Sequence, residues 1–258
     1  MITIAISNQK GGCGKTTTAV NLSAALAKRE SRVLLIDLDP QGHATLGLGL
    51  EPEKQKHTLY DVLLGHVSAL AAITRTNIIG VDIITSNILL SGAEPQLANT
   101  HSREYVLKKN LELVSHNYDY CIIDCCPSLS LLTLNALVAA DSVIMPVQTH
   151  YYAIEGLRQL METIEVTRER FNPALAIMGI LLTFVDTRTK LSRDVQRQLR
   201  ERFDDLIFET VIHRNIKLAE APSAGQSVVT YNRKSKGAIE YMALADEVKN
   251  DEAKRRIA

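Results

Sequence analysis

The residues with the clearest chemistry stand near the start of the chain, in the stretch QKGGCGKTTT at positions 9–18. Gly11, Gly12 and Gly14 free the backbone to curl around a ligand, and their amide groups can form a nest for an anion. A strand-like apolar run precedes the stretch and a helix-like run follows it, so the N-terminus of a helix would face the same anion. The pattern predicts a loop that binds the phosphates of a nucleotide.

The side chains of this loop carry the groups that a nucleotide and its metal ion require. We expect Lys15 to contact the β- and γ-phosphates, the hydroxyl of Thr16 to ligate Mg²⁺, and Thr17 to bond the α-phosphate. Cys13 belongs to the same cradle and could present an accessible thiol there. The loop therefore predicts a nucleoside triphosphate and Mg²⁺ as ligands.

Acidic residues follow two of the strand-like runs. Asp37 and Asp39 end the run RVLLIDLD, and Asp124 ends YCIIDC. Ligands of an open parallel sheet bind beyond the carboxyl ends of its strands, where these acids would meet the phosphate loop. Asp124 is expected to hold Mg²⁺ directly or through water, as a Walker B acid does. The alternative for each acid is a helix cap or a turn.

Strand-like and helix-like runs alternate along the chain. The strand-like runs are ITIAIS, RVLLIDLD, DIITS, YDYCIIDCC, DSVIMPV and AIMGILLTFV. The helix-like runs are TTTAVNLSAALAKR, SREYVLKKNLELVSH, LSLLTLNALVAA, AIEGLRQLMETIEVTRERF, the mixed-charge LSRDVQRQLRERF and a last helix at about 238–256. Unbroken apolar strands are typical of parallel sheets covered on both faces. We therefore predict an α/β fold of the P-loop NTPase type, a doubly wound, mainly parallel sheet with helices on both faces, formed by residues 1–258 as one domain. The stretch 214–237 is expected to be the most irregular.

The composition limits the possible partners. Lys and Arg total 29 and so do Asp and Glu, so any nucleic-acid surface must be a local patch. We see no apolar tract long enough to span a bilayer and no secretory signal, so we expect a cytoplasmic protein that does not use a membrane. Cys121, Cys125 and Cys126 lack a second ligand pair at zinc spacing, and we expect them to be small buried hydrophobic residues.

Lys10 precedes the first glycine, where a phosphate nest does not require a lysine. Residues 10–16 match the deviant Walker motif with its extra lysine. Together with further motifs, they make the chain resemble the ParA/Soj family of partition ATPases, in the wider class that includes MinD and the nitrogenase iron protein. These motifs are DLDPQG at 37–42, IIDCCPSLSLLTLNAL at 122–137, PVQTHYYAIEGL at 146–157 and RNIKLAEAPSAGQSV at 214–228. The resemblance runs from Thr3 to about Lys249.

The resemblance implies that ATP binding and dimerisation are coupled. In this class the extra lysine reaches across a homodimer to the partner's nucleotide, so Lys10 would supply positive charge to two buried nucleotides only when the dimer has closed. The alternative is a solvated lysine that assists by general electrostatics. The catalytic residues implied are Lys10, Lys15 and Asp39.

The resemblance also gives each acid a role. Asp39 would orient the attacking water, and Asp37 would help to set the shell of the metal ion held by Thr16 and Asp124. Gln41 and Gly42 would form a switch segment that senses the γ-phosphate. Hydrolysis would be phosphoryl transfer to water at a slow, partner-stimulated rate.

The motif at 214–228 resembles the family loop that packs on adenine. Asn215 is the expected base contact, and His213 replaces a proline that is common there. Arg188 and Arg214 fall in motifs that help to form a non-specific DNA surface in relatives. The expected DNA-binding residues are Arg188, Arg214, Lys217, Lys234 and Lys236, with a solvated basic face as the alternative.

The implied function is an ATPase switch that binds non-specific double-stranded DNA as the ATP-bound dimer. It would segregate a chromosome or plasmid through a ParB-like partner, and the protein itself would be associated with the nucleoid. The same cycle could position a protein assembly such as a carboxysome or a chemoreceptor cluster. A MinD-like membrane cycle is disfavoured because the tail has only Val248 and Ile257 as bulky aliphatic residues. An iron protein would need cluster-ligating cysteines in a matching motif. A repressor would need an N-terminal helix-turn-helix, for which we expect no room before the first strand.

Overall fold

In the part of the chain that the structure describes, seven strands form one sheet, with spatial order β3-β4-β2-β5-β1-β6-β7. The structure is a computed structural model that describes residues 1–150 and 153–257, the last six of these only by the course of the helix. The strands are β1 (Ile2–Ile6), β2 (Val33–Leu38), β3 (Ile73–Arg75), β4 (Val81–Ile84), β5 (Tyr120–Cys125), β6 (Ser142–Gln148) and β7 (Ala176–Thr183). Among the described residues, all strand pairs are parallel except that of β3 with β4.

Helices connect the strands and cover the sheet. They are α1 (Lys15–Lys28), α2 (His43–Gly47), α3 (Leu59–Leu63), α4 (Ala69–Ala72), α5 (Ala93–Leu97), α6 (Val106–Glu112), α7 (Leu131–Ala139), α8 (Ala153–Arg170), α9 (Lys190–Phe203), α10 (Ile216–Glu220), α11 (Val228–Tyr231) and α12 (Lys236–Ile257). Short 3₁₀ turns lie at Pro52–Lys54, Ile88–Gly92, Arg103–Tyr105, Ser115–Asn117, Asp204–Leu206 and Ala221–Ala224.

The described residues form two apolar cores, which lie on opposite faces of the sheet. Successive residues of a strand point to opposite faces. In β2, Leu34 and Ile36 accordingly join the core that α7 and α8 complete, while Val33 and Leu35 join the core built with α1 and α12. Burial on both sides explains why the strand sequences are unbroken apolar runs. The doubly wound, mainly parallel fold predicted from the sequence is thus confirmed.

Some local predictions need correction. The stretch 214–237, expected to be irregular, contains the short helices α10 and α11 and the start of α12. The antiparallel edge strand β3 was not predicted, because three residues show no usable periodicity. Helix α6 is shorter than its sequence pattern. Cys121, Cys125 and Cys126 are buried as expected. Within the described ranges, no helix combines the length and apolarity needed to cross a bilayer.

The strand register brings the acidic residues to the phosphate loop. Strand β5 lies between β1 and β2, and Asp124 is paired in register with both Ile6 and Asp37. The loop leaves β1 directly after Ile6. The carboxyl ends of three adjacent strands therefore meet at one point of the sheet edge, where ligands of such folds bind.

Candidate active site

The loop between β1 and α1 is an open cradle. Gly12 and Gly14 have φ angles of 70° and 91°, in the left-handed region that favours glycine. A Cβ atom added to Gly11 or Gly12 would meet no atom of the described residues within 4 Å, so this side of the loop faces open space. Gly14 precedes α1, and no side chain in the described part of the protein caps the first turn, which leaves amide groups of the helix available to an anion.

The two lysines of the loop have different surroundings. Lys15 is only 6% exposed, and its Nζ donates a hydrogen bond to the carbonyl oxygen of Lys10 at 2.9 Å. The backbone amide of Lys10 donates to Oδ1 of Asn8 at 3.0 Å, and Nδ2 of Asn8 donates to the carbonyl of Pro146 on β6 at 2.7 Å. The backbone of Lys10 is therefore fixed on both sides. Its own ammonium group has no hydrogen bond or ion pair with any residue that the structure describes.

The prediction of an accessible thiol in the loop is wrong. Cys13 is 1% exposed, and burial raises the pKa of its thiol despite the charge of Lys15 nearby. Its carbonyl oxygen accepts a hydrogen bond from the Thr183 hydroxyl at the end of β7, at 2.8 Å. Cys13 therefore anchors the loop to the sheet through its backbone.

Asp124 is fully buried, and neither of its carboxylate oxygens accepts a hydrogen bond of normal geometry from any residue that the structure describes. Burial raises its pKa well above the ordinary range, and the charges of Asp37 and Asp39 add to this. The nearby hydroxyl of Thr16 and the charge of Lys15 lower the same pKa. An unpartnered buried carboxylate beside a hydroxyl suits a hard cation, since Mg²⁺ prefers oxygen ligands and takes few from the protein.

Asp37 is also fully buried, but its oxygens are engaged. Oδ2 accepts hydrogen bonds from the amide and the hydroxyl of Thr45 in α2, at 2.8 and 2.7 Å, and Oδ1 accepts one from the amide of Asp39 at 3.3 Å. Burial raises its pKa to about 6, against the lowering effect of these bonds. Asp37 thus links β2 to α2, and its role in a metal shell stays a prediction.

Asp39 begins the segment that leads to α2. Its Oδ1 accepts a hydrogen bond from the amide of Gln41 at 3.0 Å, and its side chain is nearly buried. Gly42 has a φ of 62°, and a Cβ atom there would lie 3.1 Å from the carbonyl oxygen of Ser86. Only glycine fits this turn without strain. Gln41 is exposed, so the segment can respond to a ligand above the loop.

A testable consequence concerns Asp124→Asn. Without nucleotide and Mg²⁺, a buried carboxylate with a raised pKa costs stability at neutral pH, either as an unpaired charge or through its protonation, and the neutral amide removes this cost. We therefore expect the variant to be about 1–2 kcal/mol more stable to unfolding than wild type. Thermal unfolding should show a melting temperature higher by a few degrees. The additional stabilisation by Mg²⁺ with ATP should shrink in the variant. Asp205→Asn, at an exposed site, is the control; equal stability and equal Mg²⁺ dependence of Asp124→Asn and wild type would contradict the metal role.

A cavity of about 630 Å³ extends from the loop towards α12, in the size range of ligand pockets. Its walls are mostly apolar, and its lining comprises Gly14, Thr17, Thr183, Phe184, Ile212, His213, Arg214, Asn215, Ile216, Leu218, Ala219 and Tyr241. Asn215 caps α10, with its Oδ1 accepting from the amide of Lys217 at 2.8 Å. Its side-chain NH₂ group makes no hydrogen bond within the described part of the chain, so it is free to donate to a base.

Of the five residues expected to bind DNA, Arg214 lines this cavity, and three of the others pair with acids. Arg188 makes a two-pronged ion pair with Asp186, at 2.9 and 2.8 Å, and its side chain is 86% exposed. This pairing holds the pKa of Asp186 well below its ordinary range, with a smaller effect from Arg214. Lys217 pairs with Glu220 at 2.7 Å, and Lys236 lies 3.9 Å from Glu240. Lys234 is exposed.

Three contacts at the site were not predicted from the sequence. Thr45 holds Asp37, Thr183 holds the loop at Cys13, and Tyr241 of α12 lies with its hydroxyl 3.2 Å from the Thr18 hydroxyl of α1. Their partners are 8, 170 and 223 residues away in the sequence. Thr183 was the one of these residues that the sequence could have singled out, because it stands at the carboxyl end of β7 and ligands bind at that edge of the sheet. In the predicted motif 146–157, Tyr151 and Tyr152 lie outside the described residues.

Comparison with known proteins agrees with this geometry. A family model described as an AAA domain matches residues 1–177. The chain is 50% identical over 245 residues to the sporulation initiation inhibitor protein Soj of Bacillus subtilis, covering 95% of this chain and 97% of Soj. It is 47% identical over 255 residues to the chromosome partitioning protein ParA of Caulobacter vibrioides, covering 98% and 96% of the two chains.

A solved structure extends the agreement to three dimensions. A protein of Mycobacterium smegmatis, described as cobyrinic acid a,c-diamide synthase with bound ADP and magnesium, superposes with a TM-score of 0.85. The two chains are 41% identical, and the match covers 95% of this chain and 93% of the other. With identity to Soj and ParA along nearly its whole length, and with a glycine-rich loop beside an acid-lined sheet edge, this chain belongs to the ParA/Soj family of partition ATPases.

Proposed function

We propose that the protein is an ATP-dependent switch that dimerises with ATP, binds DNA non-specifically as that dimer, and segregates a chromosome or plasmid through a ParB-like partner. The observation that carries the proposal is the placement of Lys10. Its backbone is fixed beside an open phosphate cradle, yet its ammonium group has no counterion within the described chain. A second molecule with its own nucleotide would supply that counterion.

The site fits ATP and Mg²⁺. The glycines and the first turn of α1 would surround the phosphates, with Lys15 against them once its bond to the Lys10 carbonyl exchanges. Thr16 and Asp124 would hold Mg²⁺, whose chemistry there is to neutralise charge that develops on the phosphates. The unpartnered oxygens of Asp124 favour this assignment, because an empty buried carboxylate is costly and a cation offsets that cost.

Hydrolysis would depend on the segment after β2. Asp39 would position the attacking water and accept its proton, and the exposed Gln41 beside it would sense the γ-phosphate. Asp37 would transmit a change in this segment to α2 through the two bonds to Thr45. The Thr45 hydroxyl in turn accepts a hydrogen bond from the amide of Ser86 at 3.1 Å. The loop after β4, which contains Ser86, would therefore move together with Thr45. These contacts would carry a change at the nucleotide site to α2 and to the loop after β4.

DNA binding is proposed for the basic residues near α10 and the start of α12. An exposed ion pair contributes little to stability, so Arg188 could exchange Asp186 for a DNA phosphate at small cost. Arg214 and Lys234 have no ion pair within the described part of the chain. Because the contacts would be to phosphates, binding should weaken steeply with salt, with a log–log slope of about −0.9 for each phosphate neutralised. We place the protein in the cytoplasm, on the nucleoid.

The experiment that tests the proposal measures binding to non-specific duplex DNA without nucleotide, with ADP and with ATP, across a salt series, with mass read by light scattering. An ATP-specific dimer that binds DNA with a steep salt dependence would support the switch. If the ATP-dependent dimer does not bind DNA, the basic residues are only a solvated surface. In that case the dimer would position its cargo through a protein partner or a membrane instead of through DNA.

Arg188→Glu is expected to keep the ATP-dependent dimer and to weaken DNA binding by at least about tenfold at moderate salt, because a phosphate contact becomes a repulsion. Asp186→Asn should strengthen binding, since it releases Arg188 from its partner. Fluorescence anisotropy with labelled duplex measures both. Arg197→Glu, on the mixed-charge helix α9, is the matched control. Unchanged affinity in Arg188→Glu would remove this residue from the DNA surface.

A further inference from the structure

His213 is held in the wall of the large cavity by one carboxylate of α12. Oε1 of Glu240 lies 2.6 Å from Nδ1 of the ring, and Oε2 accepts a hydrogen bond from the backbone amide of His213 at 3.0 Å. The two side chains are 20% and 11% exposed. Both oxygens of Glu240 thus act on a single residue, which fixes the backbone and the ring together. Nζ of Lys236 also lies 3.9 Å from Oε1 of Glu240.

This arrangement selects one form of the imidazole. A carboxylate against Nδ1 keeps the proton on that nitrogen, so Nε2 of the neutral ring is a hydrogen-bond acceptor. Nε2 has no partner within the described residues. His213 lines the cavity, and with Nδ1 engaged by Glu240 its Nε2 is the ring nitrogen left for a ligand there.

His213 and Asn215 form a complementary pair. Val185 and His213 form a parallel bridge, and Asn215 has extended φ and ψ angles of −143° and 126°. In an extended segment, residues two apart share a side. Asn215 uses its oxygen to cap α10, so it offers the cavity its NH₂ donor, whereas His213 offers an acceptor.

We propose that His213 determines base specificity by accepting a hydrogen bond from the 6-amino group of adenine, with Glu240 as its positioning residue. Adenine places this donor beside a ring nitrogen that can accept from Asn215. Guanine carries an oxygen acceptor at position 6, which would oppose Nε2. The apolar surfaces of Phe184, Ile216 and Leu218 in the same lining suit a flat purine. The inference rests on the proposed nucleotide-dependent function.

The test compares Mg²⁺-bound ATP with purine riboside triphosphate, which lacks only the 6-amino group, by titration calorimetry. The pH should be about 8.5, above the range in which histidine ordinarily titrates. Wild type should bind ATP about tenfold more tightly than the analogue. In His213→Leu, ATP should bind about tenfold more weakly than in wild type and the preference for the 6-amino group should vanish. His213→Gln, whose amide oxygen can reach a similar position, should restore part of the preference.

Glu240→Gln separates positioning from contact. It should reduce the preference for the 6-amino group, because the neutral amide no longer fixes the proton on Nδ1, while a purely structural role would weaken both nucleotides equally. His116→Leu, at an exposed site, is the matched control. A preference that is unchanged in His213→Leu overturns the inference even when the ATP-dependent dimer and its DNA binding are intact. A preference lost in His213→Leu supports the inference even when DNA binding fails, so the two proposals can fail separately.

Discussion

Lys10→Ala is expected to bind ATP with an affinity within a few-fold of that of wild type and to lose the ATP-dependent dimer. Its rate of ATP hydrolysis should fall at least about a thousandfold. The magnitude is that of a cation supplied in trans to a phosphoryl transfer. Nucleotide binding should survive because Lys15 contacts Lys10 only at its backbone carbonyl, which alanine retains. The bond from the amide of residue 10 to Asn8 is retained for the same reason.

Three measurements separate these effects. Calorimetry reports ATP binding, light scattering reports the dimer, and phosphate release reports hydrolysis. Lys28→Ala is a suitable control, because it removes an exposed lysine from the last turn of α1 without touching the loop. A dimer of full strength in Lys10→Ala would contradict the trans role and leave Lys10 as a solvated lysine that acts by general electrostatics.

The framework of the site could be predicted because it follows from local rules. A glycine-rich turn between a strand and a helix, and acids at the carboxyl ends of buried strands, need only the period of the hydrophobic pattern and the topology of parallel sheets. Lys15, Thr16 and Asp124 are brought together by that topology, since β1 and β5 are neighbours in the sheet. The order of the strands in the sheet was the one part of this framework that could not be predicted, and the alternation of strands and helices strongly restricts the possible orders.

The remaining contacts are not local, and sequence patterns do not encode them. The backbone of Cys13 is held by Thr183, at the end of another strand. The hydrogen bonds of Asp37 come from Thr45, which follows a left-handed turn at Gly42. His213 stood out as a departure from its family. The role of His213 could be inferred only from its contact with Glu240, which lies 27 residues later in the sequence, on α12. Side-chain pairs of this kind are set by packing, which composition and periodicity do not specify.

The second large effect concerns Asp39→Ala, which should bind ATP, form the dimer and remain on DNA while hydrolysis falls about 100- to 1000-fold. Asp39 contributes a carboxylate and a loop contact, the hydrogen bond from the amide of Gln41. Asp39→Asn separates them, because its amide oxygen keeps the loop contact but accepts a proton poorly.

Phosphate release and dissociation from labelled duplex, followed after ATP is diluted, test this assignment. If Asp39 acts on water, both variants lose hydrolysis and both dissociate slowly, because the switch cannot return to its ADP form. If Asp39 serves only to shape the segment before α2, Asp39→Asn should turn over ATP like wild type while Asp39→Ala does not. Normal turnover in both would move the role of orienting water to another residue and leave Asp39 as a turn former. Slow dissociation tied to slow hydrolysis would show that release from DNA is driven by the chemistry at this one carboxylate.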